Sequence, residues 1–392
     1  GSITPFQALM TSMASAVGTG SVVGVATALT IGGLGALFWL WVTTFISMAI
    51  KYAESLLAVK YRVVDSSGQV RGGPMQYIER GLGWKWLATL FAIFASIAVI
   101  GTGNLVQVNA IVGAVRYIFD VSPMAIGIVV TAITGCILFG GITSIARVSA
   151  WIVPVMALFY IFSGALVIVA HLDQLPAAIG VIFSSAFTGQ ATTGGILGST
   201  AMMAVQMGVS RCVFCSEAGL GVSSIAAAAA KTSSSGRQAM LSMTGTLVST
   251  AVICTITALV IAVSGCLGSV DQVGVPLNGV ELAIAAFSSS LSFGKYVVVL
   301  GLILFAYTTI IAWAYYGEKC FEYLFGPKAV SYYRLLYVAL ILPGALFALE
   351  SVWCFADIMN ALMVIPNMIA LLALSGVVQR ETDLFISQAS TT

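Results

Sequence analysis

Apolar residues run along this chain in stretches of about twenty or more, separated by short polar punctuation. That length predicts membrane-spanning helices. Ten such segments are readable, over residues 4–30, 34–59, 84–117, 122–142, 148–170, 193–231, 237–265, 295–325, 331–349 and 353–378. The sixth is too long for one straight crossing at roughly 1.5 Å per residue, and it carries Gly208, Gly219 and Gly221 with Arg211 and Glu217 near its middle. The first is interrupted by Gly18, Gly20 and Gly24. These two segments are corresponding members of two five-helix halves. Five is odd, so the second half is inverted relative to the first. Glycine-interrupted segments at matching positions of inverted halves point to a secondary transporter whose site lies at the bilayer midplane. The competing use of glycine here is close helix packing.

Composition narrows the class further. Apolar residues make up 59% of the chain and charged residues 8%, against about 25% charged in ordinary soluble domains. Mean hydropathy is +1.05. A set of soluble domains is excluded, and a net charge of +2 gives no reason to expect a nucleic-acid partner. The one histidine, His171, leaves no setting for most histidine chemistry. Seven cysteines, mostly in apolar runs, show no disulfide framework; Cys212-x-x-Cys215 has neither a second pair nor a histidine to complete a zinc site. No catalytic dyad is evident, so an enzyme is not expected. With the first helix entering from the cytoplasm, thirteen of the sixteen Lys and Arg residues fall on the inner side, which predicts cytoplasmic chain ends. The first apolar stretch is too long for a cleavable signal peptide. The chain lacks an initial Met and starts almost at its first span, so an upstream segment is expected.

Several motifs carry a resemblance. They are Ser2 to Ala8 (SITPFQA), Gly32 to Trp41 (GGLGALFWLW), Gly72 to Tyr77 (GGPMQY), Gly103 to Gln107 (GNLVQ), Phe214 to Gly221 (FCSEAGLG), Tyr315 to Gly326 (YYGEKCFEYLFG) and Asn360 to Asn367 (NALMVIPN). Together, and in this order, the chain resembles the alanine or glycine:cation symporters, the sodium:alanine symporter family. The resemblance implies an all-α membrane protein with a five-plus-five inverted repeat of the LeuT type and broken helices one and six. Residues 1–171 would form the first repeat, 193–378 the second and 379–392 a cytoplasmic tail. It also implies import of a small neutral amino acid, alanine or glycine, coupled to sodium, by a protein expected to work as a monomer in the cell membrane. Proton coupling, another substrate, or a receptor or channel of the same fold are the opposing readings.

A zwitterion in a low-dielectric site needs partners at both ends. The second half of helix one, starting near Gly20, Ser21 and Val22, offers free N–H groups and a positive dipole end to a carboxylate, with Thr19, Gly20 and Ser21 as the candidate substrate contacts. An unwound stretch at Phe214, Cys215 and Ser216 would offer carbonyls to the ammonium, with Phe214 closing the pocket or simply packing. Asn104 and Gln107, three residues apart, share a helix face and either contact substrate or bond between helices. Sodium needs hard oxygens. The resemblance assigns these to the hydroxyls of Thr308 and Thr309 and to carbonyls near Ala16, Val17 and Thr19, the alternative for the threonines being bonds to their own helix. Arg211 and Glu217 are the sharpest charged pair, expected in a structural or gating role rather than a proton-carrying one. Asp357 is a candidate for an outer gate. Lys51 and Glu54 read as an interfacial pair. The chain departs from the family where Ser21 replaces a usual Asn, Cys215-Ser216 a usual Ser-Asn, Cys212 a Gly and Ser224 a Pro. These changes put the substrate's identity and the ion stoichiometry in question, and the fold much less so.

Overall fold

Helix one opens on a reciprocal cap. Thr4 Oγ1 accepts from Gln7 N at 3.1 Å and Gln7 Oε1 accepts from Thr4 N at 3.0 Å, with Pro5 in the first turn. In the computed structural model, which describes residues 1–64, 68, 70–188, 200–271, 273–347 and 349–389, the chain is almost wholly helical. Helix one is two pieces, Pro5–Ala16 and Val23–Gly32, joined through a 3-10 turn, Thr19–Ser21. Helix two is Gly35–Lys60, helix three Lys85–Ile118, helix four Pro123–Phe139 and helix five Gly141–Ala170. Helix six is again two pieces, Ala201–Ser216 and Ser224–Ala228. Helix seven is Ser235–Ser264, helix eight Gly294–Phe325, helix nine Val330–Ala339 continued by Ile341–Gly344, and helix ten Leu349–Ala373.

The ten predicted segments are thus all present as helices, with shifted ends. Helix five starts well before residue 148 and helix nine stops before 349. Residues 193–199 of the sixth segment lie outside the described residues. Residues 379–389 of the predicted tail belong to a helix, Ser375–Ala389. Six helices have both the length and the hydropathy of a full crossing among the described residues. The other crossings are shorter or broken, a use of irregular backbone that a bilayer tolerates only where protein surrounds it.

Both chain ends meet on one side of the molecule. Ser2 N donates to Ala229 O at 2.8 Å, Lys231 N to Ile3 O at 2.7 Å, and Lys60 Nζ pairs with Glu381 Oε1 at 2.6 Å. Large apolar side chains, among them Phe139, Trp151, Leu158, Phe162 and Leu372, are turned outward, as a lipid-facing surface requires. The interior is filled by small residues and rings. Gly103 of helix three leaves no space for a side chain beneath Trp313 of helix eight, and Gly208 brings helix six onto the backbone of helix two at Ala36. Pro154 and Pro366 each remove a backbone donor within helices five and ten. Helices three and seven carry π-helical turns, Val99–Leu105 and Leu247–Cys254.

Candidate substrate and ion site

The first break is built on Gly18, Thr19, Gly20 and Ser21. Ser21 N and Val22 N reach back to Gly18 O and Thr19 O, both at 3.2 Å, so these amides close the turn rather than standing free. The amide of Thr19 points the other way and donates to Gln107 Oε1 at 3.3 Å. The hydroxyls of Thr19 and Ser21 are buried without a hydrogen-bond partner. Buried polar atoms left unmatched at a distorted backbone are what a ligand site shows. A side chain on Gly20 would meet the Phe214 ring, whose Cδ1 lies 2.5 Å from the ideal Cβ position, and Cys215 Sγ at 3.1 Å. The two broken helices therefore touch at Gly20, which supports close approach of backbone and ring.

The second break falls later than predicted. Phe214, Cys215 and Ser216 are the last turn of the first piece of helix six, and the unwound stretch covers residues 217–223. Glu217 ends the helix in the left-handed region at φ 56°, and Gly219 and Gly221 follow at φ 88° and 77°. The carbonyls of Phe214 to Ser216 sit at a helix C-terminus, so they still form a negative dipole end.

Thr309 lies 3.0 Å from Ala14 O and 2.9 Å from Phe305 O, and 2.8 Å from the Cβ position that a residue at Gly18 would use. It therefore faces the broken stretch of helix one, but through Ala14 rather than through the carbonyls expected. Ala16 O already accepts from Gly18 N at 3.1 Å, and Thr19 O from Val22 N. Thr308, one position round the helix, bonds to Leu304 O at 3.0 Å and Phe305 O at 3.1 Å and faces Met156 of helix five. A site here is made of hydroxyls and carbonyls. No group of three or more His, Cys, Asp or Glu side chains able to hold a metal occurs among the described residues.

Gln107 and Asn104 do not share a face. Gln107 meets the first break, and its Nε2 donates to Thr102 O at 3.0 Å. Asn104 lies within the π-helical turn and donates to Tyr337 O at 2.7 Å, which ties helix three to helix nine. The wider turn changes the angular step on which the shared face depended.

Arg211 and Glu217 do not pair either. Six residues along a helix leave two side chains well out of line, and Glu217 has already left the helix. Arg211 lies over the Trp353 ring at 5.5 Å, which in turn sits 5.2 Å from Phe214. Arg211, Trp353 and Asp357 line one cavity of about 500 Å³ together with Glu281 and Asn278. Glu217 turns to the opposite side. Its Oε2 accepts from Ser15 Oγ at 2.9 Å and lies 3.7 Å from Lys51 Nζ, while Oε1 accepts from Trp313 Nε1 at 2.7 Å. Lys51 also donates to Ser223 Oγ at the far end of the break. Glu54 Oε1 accepts from Gly219 N and from Asn367 Nδ2, both at 2.9 Å. Lys51 and Glu54 are thus fully buried against the break, not interfacial. The signal was present in the sequence: two charges inside one long apolar span. Cys212 and Cys215 are free, as are the other described cysteines.

Two broken helices brought together at Gly20, with the unmatched hydroxyls of Thr19 and Ser21 at the first break, are the arrangement of a secondary transporter. Comparison with known proteins agrees. Residues 1–392 match the sodium:alanine symporter family. The chain is 47% identical over 392 residues to the sodium/alanine symporter AgcS of Methanococcus maripaludis, covering 98% of this chain and 84% of that one. It is 38% identical over 380 residues to the probable sodium/glutamine symporter GlnT of Bacillus subtilis, covering 96% and 77%. Among solved structures it is similar to MhsT in complex with L-phenylalanine, with a TM-score of 0.62 at 16% identity, covering 96% of this chain and 91% of that one. It is also similar to a Na+-coupled sialic acid symporter, with a TM-score of 0.62 at 11% identity, covering 93% and 79%. The chain belongs to the sodium:alanine symporter family. It is a LeuT-type membrane transporter, not an enzyme, and sodium is its coupling ion.

Proposed function

We propose that the protein imports alanine or a similarly small neutral amino acid with sodium, by alternating access, and that both its ends are cytoplasmic. The observation that carries this reading is the convergence on one break. Thr309 lies between Ala14 O and the Gly18 backbone, and the unmatched hydroxyls of Thr19 and Ser21 belong to the 3-10 turn that Gly18 opens. Sodium would take the Thr309 and Thr308 hydroxyls with the Ala14, Val17 and Phe305 carbonyls. The substrate carboxylate would take the start of Val23–Gly32 with Ser21, Thr19 and Gln107. The ammonium would take the carbonyls ending Ala201–Ser216, beneath the Phe214 ring. The ion draws the first piece of helix one onto helix eight. The amino acid braces the second piece against helix six. Each stabilises the arrangement the other needs, and that shared preference is the coupling free energy. Arg211 and Asp357 would act at the outer mouth, above Phe214 and Trp353.

The test is uptake of labelled alanine into proteoliposomes, with glycine and glutamine as competitors. Uptake is expected with a sodium gradient and not with potassium in its place. Alanine uptake that is indifferent to this replacement overturns the ion assignment. Competition by glutamine at alanine-like concentrations overturns the small-substrate assignment.

A further inference from the structure

The unwound stretch of helix six is held by two side chains of helix two, one turn apart. Lys51 bridges its two ends, reaching Glu217 Oε2 at 3.7 Å and Ser223 Oγ. Glu54 takes the middle of the stretch through Gly219 N, whose residue is also held by Asn367 from helix ten. Glu217 is 1% exposed, Lys51 3% and Glu54 0%. An ammonium here is expensive unless oxygen atoms surround it, and a carboxylate is expensive unless a cation faces it. The same carboxylate oxygen accepts from Ser15 Oγ, which lies 3.0 Å from Tyr316 OH. Ser15 adjoins Ala14, whose carbonyl meets Thr309. A fixed positive charge among hard oxygens therefore stands beside the place where sodium is read to bind.

We propose that Lys51 is a tethered cation. Its ammonium occupies a position at the second break that would otherwise call for a cation from solution, so the wild-type protein takes one sodium, at the Thr309 break. Charge counting fits this. Counted as formal charges, Lys51 against Glu217 and Glu54 leaves the cluster one positive charge short; losing Lys51 leaves it two short, and losing Lys51 and the charge of Glu217 together restores the original balance. The inference rests on the proposed ion site, and its test separates the two.

The experiment measures alanine uptake in proteoliposomes against sodium concentration, together with the charge moved per alanine. The wild type is expected to show a sodium Hill coefficient of about one, and Lys51→Met a coefficient of about two with a raised half-saturating sodium concentration and a second charge per alanine, because a cation taken up from solution is linked to transport as the tethered one is not. The double variant Lys51→Met/Glu217→Gln is expected to return to wild-type sodium dependence. A Lys51→Met protein that transports with the wild-type Hill coefficient and charge ratio overturns the proposal. So does one that is inactive at every sodium concentration while the double variant is active, since that marks an ion pair needed for folding alone. Thr309→Ala tests the ion-site reading by itself: unaltered sodium dependence in that variant defeats that reading and leaves the Lys51→Met readouts to be judged on their own.

Discussion

Thr309 and Gln107 meet the same break of helix one from helices eight and three, but through different chemistry. Thr309 offers a hydroxyl oxygen flanked by Ala14 O and Phe305 O. Gln107 holds the Thr19 amide through its Oε1. Thr309→Ala is expected to raise the sodium concentration for half-maximal uptake about tenfold and to leave the ranking of competing amino acids unchanged, a loss of about 1.5 kcal/mol typical of a contact to a charged group. Gln107→Ala is expected to raise the alanine KM by a similar factor with a smaller change in sodium dependence. Uptake titrated separately in sodium and alanine checks both, and the reversed pattern means that the two roles are exchanged. The family resemblance, together with the residue types, suggested this part of the site. They could not say which carbonyl Thr309 meets, because Ala14, Ala16 and Val17 are indistinguishable as main-chain oxygens until helix one is placed against helix eight.

At the scale of elements, the second break depends on backbone that only certain residues adopt. Gly221 has φ 77°, and a Cβ there would press on Pro74 and on the side chain of Asn367 at 3.0 Å. Gly265 has φ 67°, but a Cβ there meets nothing within 4 Å. Each glycine-to-alanine change incurs about 1–2 kcal/mol for the left-handed conformation. Gly221→Ala should also disturb the Asn367–Glu54 contacts. It is expected to lower Tm clearly more than Gly265→Ala and to abolish uptake, whereas Gly265→Ala keeps it; thermal melts and initial uptake rates of the two variants decide the matter. Glycine spacing made the breaks legible in the sequence. Their limits were not legible, because helix six continues to Ser216 and gives way only where Glu217 finds Ser15, Trp313 and Lys51. A non-glycine residue in the left-handed region is held by such tertiary bonds, and no local pattern announces them.

The whole molecule must match the bilayer's asymmetry as well as its thickness. Lysine and arginine concentrate on the side where the two chain ends meet, near Lys60, Lys231 and Arg237. Lys295 lies at the opposite end of helix eight from Lys319. With cytoplasmic ends, a membrane-impermeant maleimide added to intact cells is expected to label a Lys295→Cys variant above the parent chain and to leave Lys231→Cys at the parent's level until the cells are opened. The opposite result inverts the proposed orientation.

Hydrophobic spacing, glycine placement and the scarcity of charge determined by themselves that this chain crosses a bilayer about ten times, in two inverted halves with helices one and six interrupted. Those features are set by what a hydrocarbon solvent permits along one dimension of the chain. Partner choice was decided in three dimensions. Glu217 faces Lys51 and not Arg211, Asn104 is drawn to Tyr337 away from Gln107, and Thr309 meets Ala14. In a medium without water each buried polar group must find its match among whichever helices lie beside it, and adjacency between helices far apart in sequence is a property of the assembled bundle.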